Sequence, residues 1–232
     1  MTASDRRLLV MGGSRGIGAA AARHFADQGA EVLAVSRSPA AAGRWIAADV
    51  TTDAGLATIL EAVGPDPLDA LLYLGGIWET GAFTDAYRFS RSARSETLSV
   101  LATNLVAPIE LTRCLTPNLA AASNGRAIFI GSTSGLEGQA GPEVANSASK
   151  FGLRGAVAAM RVALAGQGVG LTLIHPANVA TPEVEEDIAA GRFAPQRPIP
   201  MADLLATLDY VLSLSPDSDP GEVTLLQRTP PV

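Results

Sequence analysis

The stretch Gly12-Gly13-Ser14-Arg15-Gly16-Ile17-Gly18 lies between a short apolar run, Leu8–Met11, and a segment of helical period that starts at Ile17. A glycine-rich turn from a strand into a helix leaves the first N–H groups of the helix free to bind phosphate. In such a turn, Gly12 permits the tight bend, Gly16 lets the backbone approach a pyrophosphate, and Gly18 lets the helix pack closely on the sheet. The stretch therefore predicts a dinucleotide-binding α/β fold, in which the site is also lined by Ser14, Arg15 and Ile17.

Short apolar runs and longer Ala-rich segments of helical period alternate along the chain. This alternation is typical of βαβ units and a parallel sheet. We predict one domain over residues 1–232, a doubly wound Rossmann-type α/β fold with a parallel sheet of about seven strands and helices on both faces. The predicted strands are 8–11, 31–36, 45–48, 69–74, 126–132, 170–175 and 222–226, and the predicted helices are 17–28, 52–63, 95–122, 146–167 and 201–214.

The segment 182–200 is rich in Pro, Glu and Gly and follows the sixth predicted strand. It falls at the carboxyl edge of the sheet, where the ligands of open α/β sheets bind. We predict that it forms a lid over a small-molecule substrate; the alternative is an ordinary surface excursion.

The composition argues against several classes of function. The net charge is −6 and no basic stripe is present, so nucleic acid is not expected as a partner. Cys114 is the single cysteine, which rules out an intrachain disulfide and a Cys-based zinc site, and no His/Asp/Glu cluster suggests another metal. The apolar run 8–11 is too short for a signal peptide or a membrane span, so we expect a cytoplasmic protein with no membrane partner.

The glycines of the loop are separated by three residues and then by one. This spacing resembles the T-G-x-x-x-G-x-G loop of the short-chain dehydrogenase/reductase (SDR) family, with Met11 in place of the Thr, and the resemblance covers nearly the whole chain. Asp49-Val50 resembles the family's adenine-contacting Asp-Val, Tyr73-Leu74-Gly75-Gly76 stands in place of its Asn-Asn-Ala-Gly, and residues 176–181 resemble its Pro-Gly…Thr segment. The resemblance implies that the cofactor contacts Asp49, Val50, Gly75, Gly76, Lys150, Pro176, Asn178, Val179 and Thr181.

The end of the second predicted strand indicates which nicotinamide cofactor binds. In dinucleotide folds an acidic residue at this position holds the ribose 2′-OH, whereas a nearby Arg accommodates a 2′-phosphate. The strand here ends Val35-Ser36-Arg37, without an acid. Arg37 can fork onto a phosphate, Ser36 can donate to it, and Arg15 can reach it from the glycine loop. We predict NADP(H) rather than NAD(H); the alternative is that both arginines are solvated surface charges.

The catalytic residues are identified by the same resemblance. It implies that Ser132 binds the substrate oxygen, with Thr133 as the alternative. It also implies that Lys150 is the lysine of the family's Tyr-x-x-x-Lys and that Asn104 is its helix asparagine. The position four residues before Lys150 carries Asn146 instead of Tyr. Positions i and i+4 share one helix face, so Asn146 occupies the place of the proton donor, and a carboxamide cannot act as a general acid.

Pro108 indicates how a proton could be supplied without the tyrosine. Proline has no N–H, so the carbonyl of Asn104, four residues earlier, loses its helical partner and can anchor a water. This resembles the family's proton relay, in which the helix asparagine holds a water beside the lysine. We hypothesise that a Lys150–water–Asn104 chain delivers the proton; the alternative is that Pro108 only kinks the helix.

Four other side chains are weaker candidates for chemistry, and we prefer a structural interpretation of each. Tyr73 ends the fourth predicted strand, and Tyr87 lies in the polar stretch 81–94 near the expected substrate mouth. His175 is interpreted as a cap of the sixth strand beside the expected nicotinamide site. His24 is interpreted as a surface or packing residue of the first helix.

These residues favour an NADP(H)-dependent oxidoreductase that transfers hydride between nicotinamide and a small carbonyl, alcohol or activated alkene. Asn146 leaves two other interpretations open: a catalytically degenerate NADP(H)-binding protein that acts as a sensor, scaffold or inactive subunit, and an engineered Tyr-to-Asn form of a normal carbonyl reductase. The resemblance also implies a homodimer or homotetramer assembled through the two long helices, 95–122 and 146–167.

Overall fold

Seven parallel strands form one sheet in the computed structural model, which describes residues 6–193 and 195–228. The strands are β1 (Arg7–Met11), β2 (Glu31–Ser36), β3 (Arg44–Ala47), β4 (Ala70–Tyr73), β5 (Arg126–Ile130), β6 (Gly170–Pro176) and β7 (Glu222–Leu225). Their order across the sheet is β3-β2-β1-β4-β5-β6-β7. The chain therefore adds β2 and β3 on one side of β1 and β4 to β7 on the other, and the direction in which strands are added reverses between β1 and β4. This reversal opens a crevice at the carboxyl ends of these two strands. The predicted doubly wound, Rossmann-type sheet is confirmed.

Within the described residues, seven α-helices cover both faces of the sheet, as predicted. They are α1 (Gly16–Asp27), α2 (Asp53–Val63), α3 (Arg94–Leu101), α4 (Ala107–Ala121), α5 (Val144–Ala163), α6 (Pro182–Ala189) and α7 (Met201–Ser213). Helices α2, α4 and α5 share one hydrophobic core, and α1 and α7 share the core on the other face. Alternate residues of β1 pack into the two cores: Leu9 and Met11 lie in the first core, and Leu8 and Val10 lie in the second. Burial on both faces explains why the strands are continuous apolar runs.

The helix predicted as one element at 95–122 is interrupted by a π-helical turn, Ala102–Val106, between α3 and α4. At this turn one backbone N–H donates to a carbonyl five residues back. Pro108 has no N–H to donate, so the usual four-residue ladder cannot continue there. The hydroxyl of Tyr73 donates to the carbonyl of Thr103 at 2.6 Å, which ties the end of β4 to this turn and agrees with the structural interpretation of Tyr73.

Residues Arg94–Ala121 form the one helical stretch in the described part of the chain that has the length and hydropathy of a membrane span. The stretch contacts β4, β5 and α5. It also supplies Leu111, Leu115 and Leu119 to the first hydrophobic core. This packing is that of a core helix in a doubly wound fold.

The predicted lid, 182–200, begins with α6 and returns to the sheet at Ile199. Thr181 caps α6, because its side chain accepts a hydrogen bond from the N–H of Val184 at 3.3 Å. Ile199 forms an isolated bridge with Val179, just after β6, so both ends of the segment are tied to the carboxyl edge of the sheet. Residues 1–5, 194 and 229–232 lie outside the described residues, so a single domain over 1–232 stays a prediction.

Candidate active site

A cleft of about 680 Å³ lies at the carboxyl ends of the strands and includes the crevice between β1 and β4. Its volume is typical of small-molecule and cofactor sites. The structure brings nearly all of the predicted site residues to its lining: Gly12, Ser14, Arg15, Gly16, Ile17, Ser36, Arg37, Asp49, Val50, Gly75, Gly76, Ser132, Asn146, Lys150, Pro176, Asn178, Val179 and Thr181. The other two, Gly18 and Asn104, lie behind this lining.

The glycine loop has the geometry that its predicted role requires. Gly12 has a φ of +88°, a conformation that other residues rarely adopt, and its N–H donates to the carbonyl of Val35 at 2.9 Å. A Cβ on Gly18 would overlap the carbonyl oxygen of Gly12, so a larger residue there would push α1 away from the loop. Arg15, the N-cap of α1, offers no side-chain acceptor to the first turn, and that turn contains no acid. The start of α1 therefore fits a phosphate group.

One residue of the predicted lid lies at this loop and is absent from the predicted site. Glu183, in the first turn of α6, places Oε2 within 3.9 Å of the position that a Cβ on Gly16 would occupy. Its carboxylate thus lies beside the positive end of the α1 dipole, the place where an anion is favoured. A pyrophosphate at the same place would meet the like charge of Glu183.

Two arginines line the end of the cleft that is predicted to select the cofactor. Arg15 and Arg37 are both exposed, and β2 ends without an acidic side chain. The hydroxyl of Ser36 donates to a backbone carbonyl two residues on at 2.7 Å, so its predicted donation to a phosphate requires another rotamer. Asp49 accepts from the hydroxyl and the N–H of Thr51 at 2.6 and 3.0 Å. These bonds, together with the charge of Arg37, hold the pKa of Asp49 below its usual value.

Lys150 lines the cleft and is almost entirely buried. Its Nζ donates to the carbonyl of Ile130 at 3.1 Å. Burial lowers the pKa of the ammonium group to about 8, because removal from water penalises the charged form. A group with that pKa holds a proton at neutral pH and can release it to an acceptor, as general acid–base catalysis requires.

Ser132, rather than its alternative Thr133, lines the cleft. The Oγ of Ser132 accepts from the N–H of Ser134 at 3.1 Å. Its carbonyl accepts from Nδ1 of His175 at 3.1 Å. His175 is fully buried, and burial lowers its pKa, so the ring is neutral near pH 7. His175 therefore supports the backbone at the end of β5 from behind the cleft, which agrees with its interpretation as a cap.

Asn104 organises the backbone between β4 and α5. Its carboxamide accepts from the N–H of Ile77 at 2.9 Å and donates to the carbonyl of Ile77 at 2.7 Å. Its Nδ2 also donates to Oγ of Ser149 at 3.1 Å. A Cβ on Gly76 would lie 3.5 Å from Oδ1 of Asn104 and 3.8 Å from Nζ of Lys150. The two residues of the hypothesised relay are therefore neighbours of the same glycine, and the relay itself stays a hypothesis.

Two buried carboxylates lie at the start of α5, where Asn146 lines the cleft. Oε1 of Glu79 accepts from the N–H groups of Ala145 at 2.7 Å and of Asn146 at 3.2 Å. Glu143, the N-cap of α5, accepts from the N–H of Phe83 at 2.7 Å. Both glutamates are only 2% exposed, and Oε2 of Glu79 has no hydrogen-bond partner among the described residues. The helix N–H groups and dipole stabilise the charge of Glu79.

Neither glutamate is among the predicted site residues, because each is an isolated acid with no motif around it.

The hydroxyl of Tyr87 accepts from the N–H of Val144 at 3.2 Å, so Tyr87 also holds the start of α5 and stays outside the cleft lining. His24 pairs with Asp209 at 2.8 Å, between α1 and α7. These contacts agree with the structural interpretations of Tyr87 and His24, which stay predictions.

Comparison with known proteins places these features in a family. A family model described as short chain dehydrogenase matches residues 6–190. The ketoacyl reductase HetN of Nostoc sp. is 34% identical over 194 residues, which cover 77% of this chain and 65% of HetN. The solved structure of 4-hydroxyisoleucine dehydrogenase with NADH has a TM-score of 0.80 at 20% identity, over 95% of this chain and 97% of that chain. A short chain dehydrogenase from Escherichia coli CFT073 with NADPH has a TM-score of 0.79 at 23% identity, over 95% of this chain and 96% of that chain.

The two solved structures are similar to this chain in fold. The family model spans most of the chain, and its range includes the glycine loop, Asn104, Ser132 and Lys150. The identity with HetN extends over a comparable length. The chain therefore belongs to the short-chain dehydrogenase/reductase family.

Proposed function

We propose that this chain is an NADP(H)-dependent oxidoreductase that transfers hydride between nicotinamide and a small carbonyl, alcohol or activated alkene. The observation that carries the proposal is the single cleft that joins the glycine loop to Ser132 and Lys150. The nicotinamide supplies or takes up the hydride when the cofactor is bound. Two solved structures of the same fold are complexes with NADH and NADPH, and HetN is named a ketoacyl reductase.

The residues of the cleft fit such a cofactor. The start of α1, with no acid in its first turn, suits the pyrophosphate beside Gly12 and Gly16. Arg15 and Arg37 give the 2′-phosphate two guanidinium partners, and no acid at the end of β2 repels it. These charges support NADP(H) as the preferred cofactor.

Ser132 and Lys150 carry out the proton chemistry in this proposal. Ser132 donates to the substrate oxygen, and Lys150 supplies the proton that the oxygen gains. Lys150, with a pKa of about 8, is largely protonated at pH 7. Its proton passes from Nζ through a water held at the carbonyl of Asn104, which Pro108 deprives of its usual helical partner. For alcohol oxidation the proton travels the same route in reverse.

A second candidate function is a catalytically degenerate NADP(H)-binding protein that acts as a sensor, scaffold or inactive subunit. The observation that favours it is Asn146, a buried carboxamide at the position of the family's proton donor. Such a protein would keep the cofactor end of the cleft and lose the chemistry at the other end.

Nucleotide titration followed by consumption assays tests both functions. We expect NADPH to bind more tightly than NADH, and Arg15→Ala and Arg37→Ala to remove most of that difference. We also expect NADPH consumption with at least one member of a panel of ketones, aldehydes and enones. Tight NADPH binding with no turnover on any member favours the binding protein. If neither nucleotide binds, both functions are refuted.

We further propose that the chain forms a homodimer or homotetramer through the stretch 94–121 and α5, and that it works in the cytoplasm without a nucleic-acid or membrane partner. Exposed apolar side chains on these helices, Val106 and Phe151, support the assembly. The net charge of −6 supports the absence of a nucleic-acid partner. Light scattering during size-exclusion chromatography measures the assembly, and a monomer at micromolar concentration would refute it.

A further inference from the structure

Three aromatic side chains line the cleft, and the middle one, Phe83, contacts the other two. Trp78 and Phe83, from the loop after β4, have ring centroids 5.8 Å apart at 65°, and Phe83 and Phe193 have centroids 6.2 Å apart at 81°. Trp78 is 54% exposed and Phe83 is 38% exposed, so their rings are open to the cleft rather than packed in the core. Phe193 belongs to the predicted lid. We call Trp78, Phe83 and Phe193 the aromatic clamp.

Phe83 has a strained backbone conformation, and a hydrogen bond to a buried carboxylate holds it there. Phe83 has a φ of +64°, and it is the one non-glycine residue with a positive φ in the part of the chain that the structure describes. Its N–H donates at 2.7 Å to Glu143, which is 2% exposed and is the N-cap of α5. Such strain persists only where the surroundings hold it, and it concentrates at ligand sites. The helix that carries Lys150 therefore also holds an aromatic ring at the cleft.

Among the described residues, the cleft lining has no cation beside the clamp for an anionic substrate. The cleft lining also includes the apolar residues Ile77, Ala82, Leu98 and Val184. The acidic lid residue Asp187 is paired with Arg192 at 2.5 Å. The basic residues in the described lining are Lys150 and the two arginines at the cofactor end, Arg15 and Arg37. A carboxylate or phosphate on the substrate would therefore find no partner beside the clamp.

We propose that the substrate is an uncharged ketone or aldehyde with a flat aromatic or fused ring, which the aromatic clamp holds while the carbonyl group lies at Ser132 and Lys150. Aromatic rings gain from edge-to-face and offset contacts beyond the burial of apolar area. In the reduction the carbonyl carbon gains hydride and the oxygen gains a proton, while NADPH is oxidised to NADP⁺. The inference rests on the oxidoreductase function proposed above and adds its substrate class.

A matched set of ketones tests the substrate class by NADPH consumption. We expect methyl naphthyl ketone to have a KM at least tenfold lower than decahydronaphthyl methyl ketone, which has a saturated ring system of the same carbon number. We expect 4-acetylbenzoate, which adds a carboxylate to acetophenone, to be at least tenfold poorer than acetophenone in kcat/KM. Equal values within each pair, or a preference for the charged ketone, would overturn the proposal.

Variants of the clamp separate ring contacts from simple apolar burial. Trp78→Leu and Phe193→Leu keep an apolar side chain, and we expect each to raise the KM for methyl naphthyl ketone about 3- to 10-fold. The KM for decahydronaphthyl methyl ketone should change less than twofold. Phe89→Leu is the matched control, since Phe89 is 63% exposed and lies outside the cleft lining, and we expect it to change neither KM.

Calorimetric titration of methyl naphthyl ketone into the NADP⁺ complex measures the clamp without turnover. If the ketone binds, and Trp78→Leu weakens its binding while no ketone is ever reduced, the proposed role of the clamp is supported and the proposed oxidoreductase function is refuted. If ketones are reduced but the clamp variants change the aromatic and the saturated substrate equally, the clamp fails and the oxidoreductase function stands. Absence of both binding and turnover with aromatic ketones refutes the clamp.

Discussion

The two ends of the cleft are held by different kinds of interaction. At the cofactor end, the backbone makes the site: the turn at Gly12, the start of α1 and the end of β2. At the chemical end, side chains make the site. Nζ of Lys150 donates to the carbonyl of Ile130, and buried Glu79 accepts from N–H groups at the start of the helix that carries Asn146, while Glu143 accepts from the N–H of Phe83. A backbone site tolerates change in side chains that a proton-transfer site does not. A protein that kept only the first kind of interaction would still have the geometry for a cofactor and would lack that for proton transfer.

The largest expected effect is the loss of turnover on Lys150→Met. Removal of a general acid lowers rates by about 10²- to 10⁴-fold, whereas the contacts of the glycine loop are untouched. Methionine keeps much of the length and apolar bulk of the stem, so the fold should be retained. Stopped-flow NADPH oxidation at saturating NADPH measures the change, and fluorescence titration establishes the saturating concentration, because Lys150 is also a predicted cofactor contact. If Lys150→Met keeps turnover within threefold of the unmodified protein, the proton comes from another group. The chemical end would then not depend on the side chain of Lys150 as proposed.

The pH dependence of reduction sharpens the same contrast. Reduction needs the proton on Nζ of Lys150, whose pKa is lowered from 10.5 to about 8. We expect kcat to fall about tenfold per unit above pH 8, and the oxidation of the alcohol to be favoured there. The free energy of unfolding changes with pH in the opposite direction to kcat, because burial of Lys150 penalises its charged form. The penalty is fully present below pH 8 and fades as the pH rises towards 10.5, so the protein becomes more stable over that range. A kcat that is flat between pH 7 and 10 would contradict Lys150 as donor.

Removal of the Glu79 carboxylate should destabilise the chemical end. Glu79 serves two N–H groups of α5, and a charged cap in a buried place is worth about 2 kcal/mol. We expect Glu79→Ala to lower the free energy of unfolding by about that amount. Tyr87→Phe, which removes a neutral acceptor from the same helix start, should cost about 1 kcal/mol. Urea denaturation compares the two variants, and an equal or smaller loss for Glu79→Ala would mean that the buried charge contributes no net stability.

The two ends also differ in how far the sequence predicts them. Gly12, Gly18 and Arg37 act within a few residues of the strands that carry them, so a local pattern was sufficient. Glu79 acquires its role only through contact with α5, 66 residues further along the chain. It lies in an irregular stretch after β4, which has neither helical nor strand period, so its contact with α5 could not be inferred. The π-helical turn was marked by Pro108, but periodicity over 95–122 favoured one continuous helix.

A smaller effect is expected at the lid, where the two ends meet. Glu183 lies beside Gly16, and its charge opposes a pyrophosphate at the start of α1. Partly exposed charges interact weakly, at about 0.2–1 kcal/mol, so Glu183→Gln should tighten NADPH binding about 2- to 5-fold. Glu186→Gln is the matched control, because Glu186 is on the same helix and outside the cleft lining. Equal tightening by both variants would indicate a general effect of net charge and no local one.

The smallest expected effect concerns Asn146→Tyr. Asn146 and Lys150 both line the cleft and lie one turn apart on α5, so the new hydroxyl would reach the place of the family's proton donor. If Lys150 already supplies the proton through its relay, a second donor adds little at pH 7, where Lys150 is protonated, and the gain in ketone reduction at that pH should stay within about threefold. Asn146→Phe adds the same ring without the hydroxyl and controls for bulk at the start of α5. A gain of about 10² or more for the Tyr variant alone is the size expected when a missing general acid is restored. That result would contradict the relay, because the present chain would then be a degenerate or altered form of an ordinary carbonyl reductase, with an intact cofactor end and a disabled chemical end.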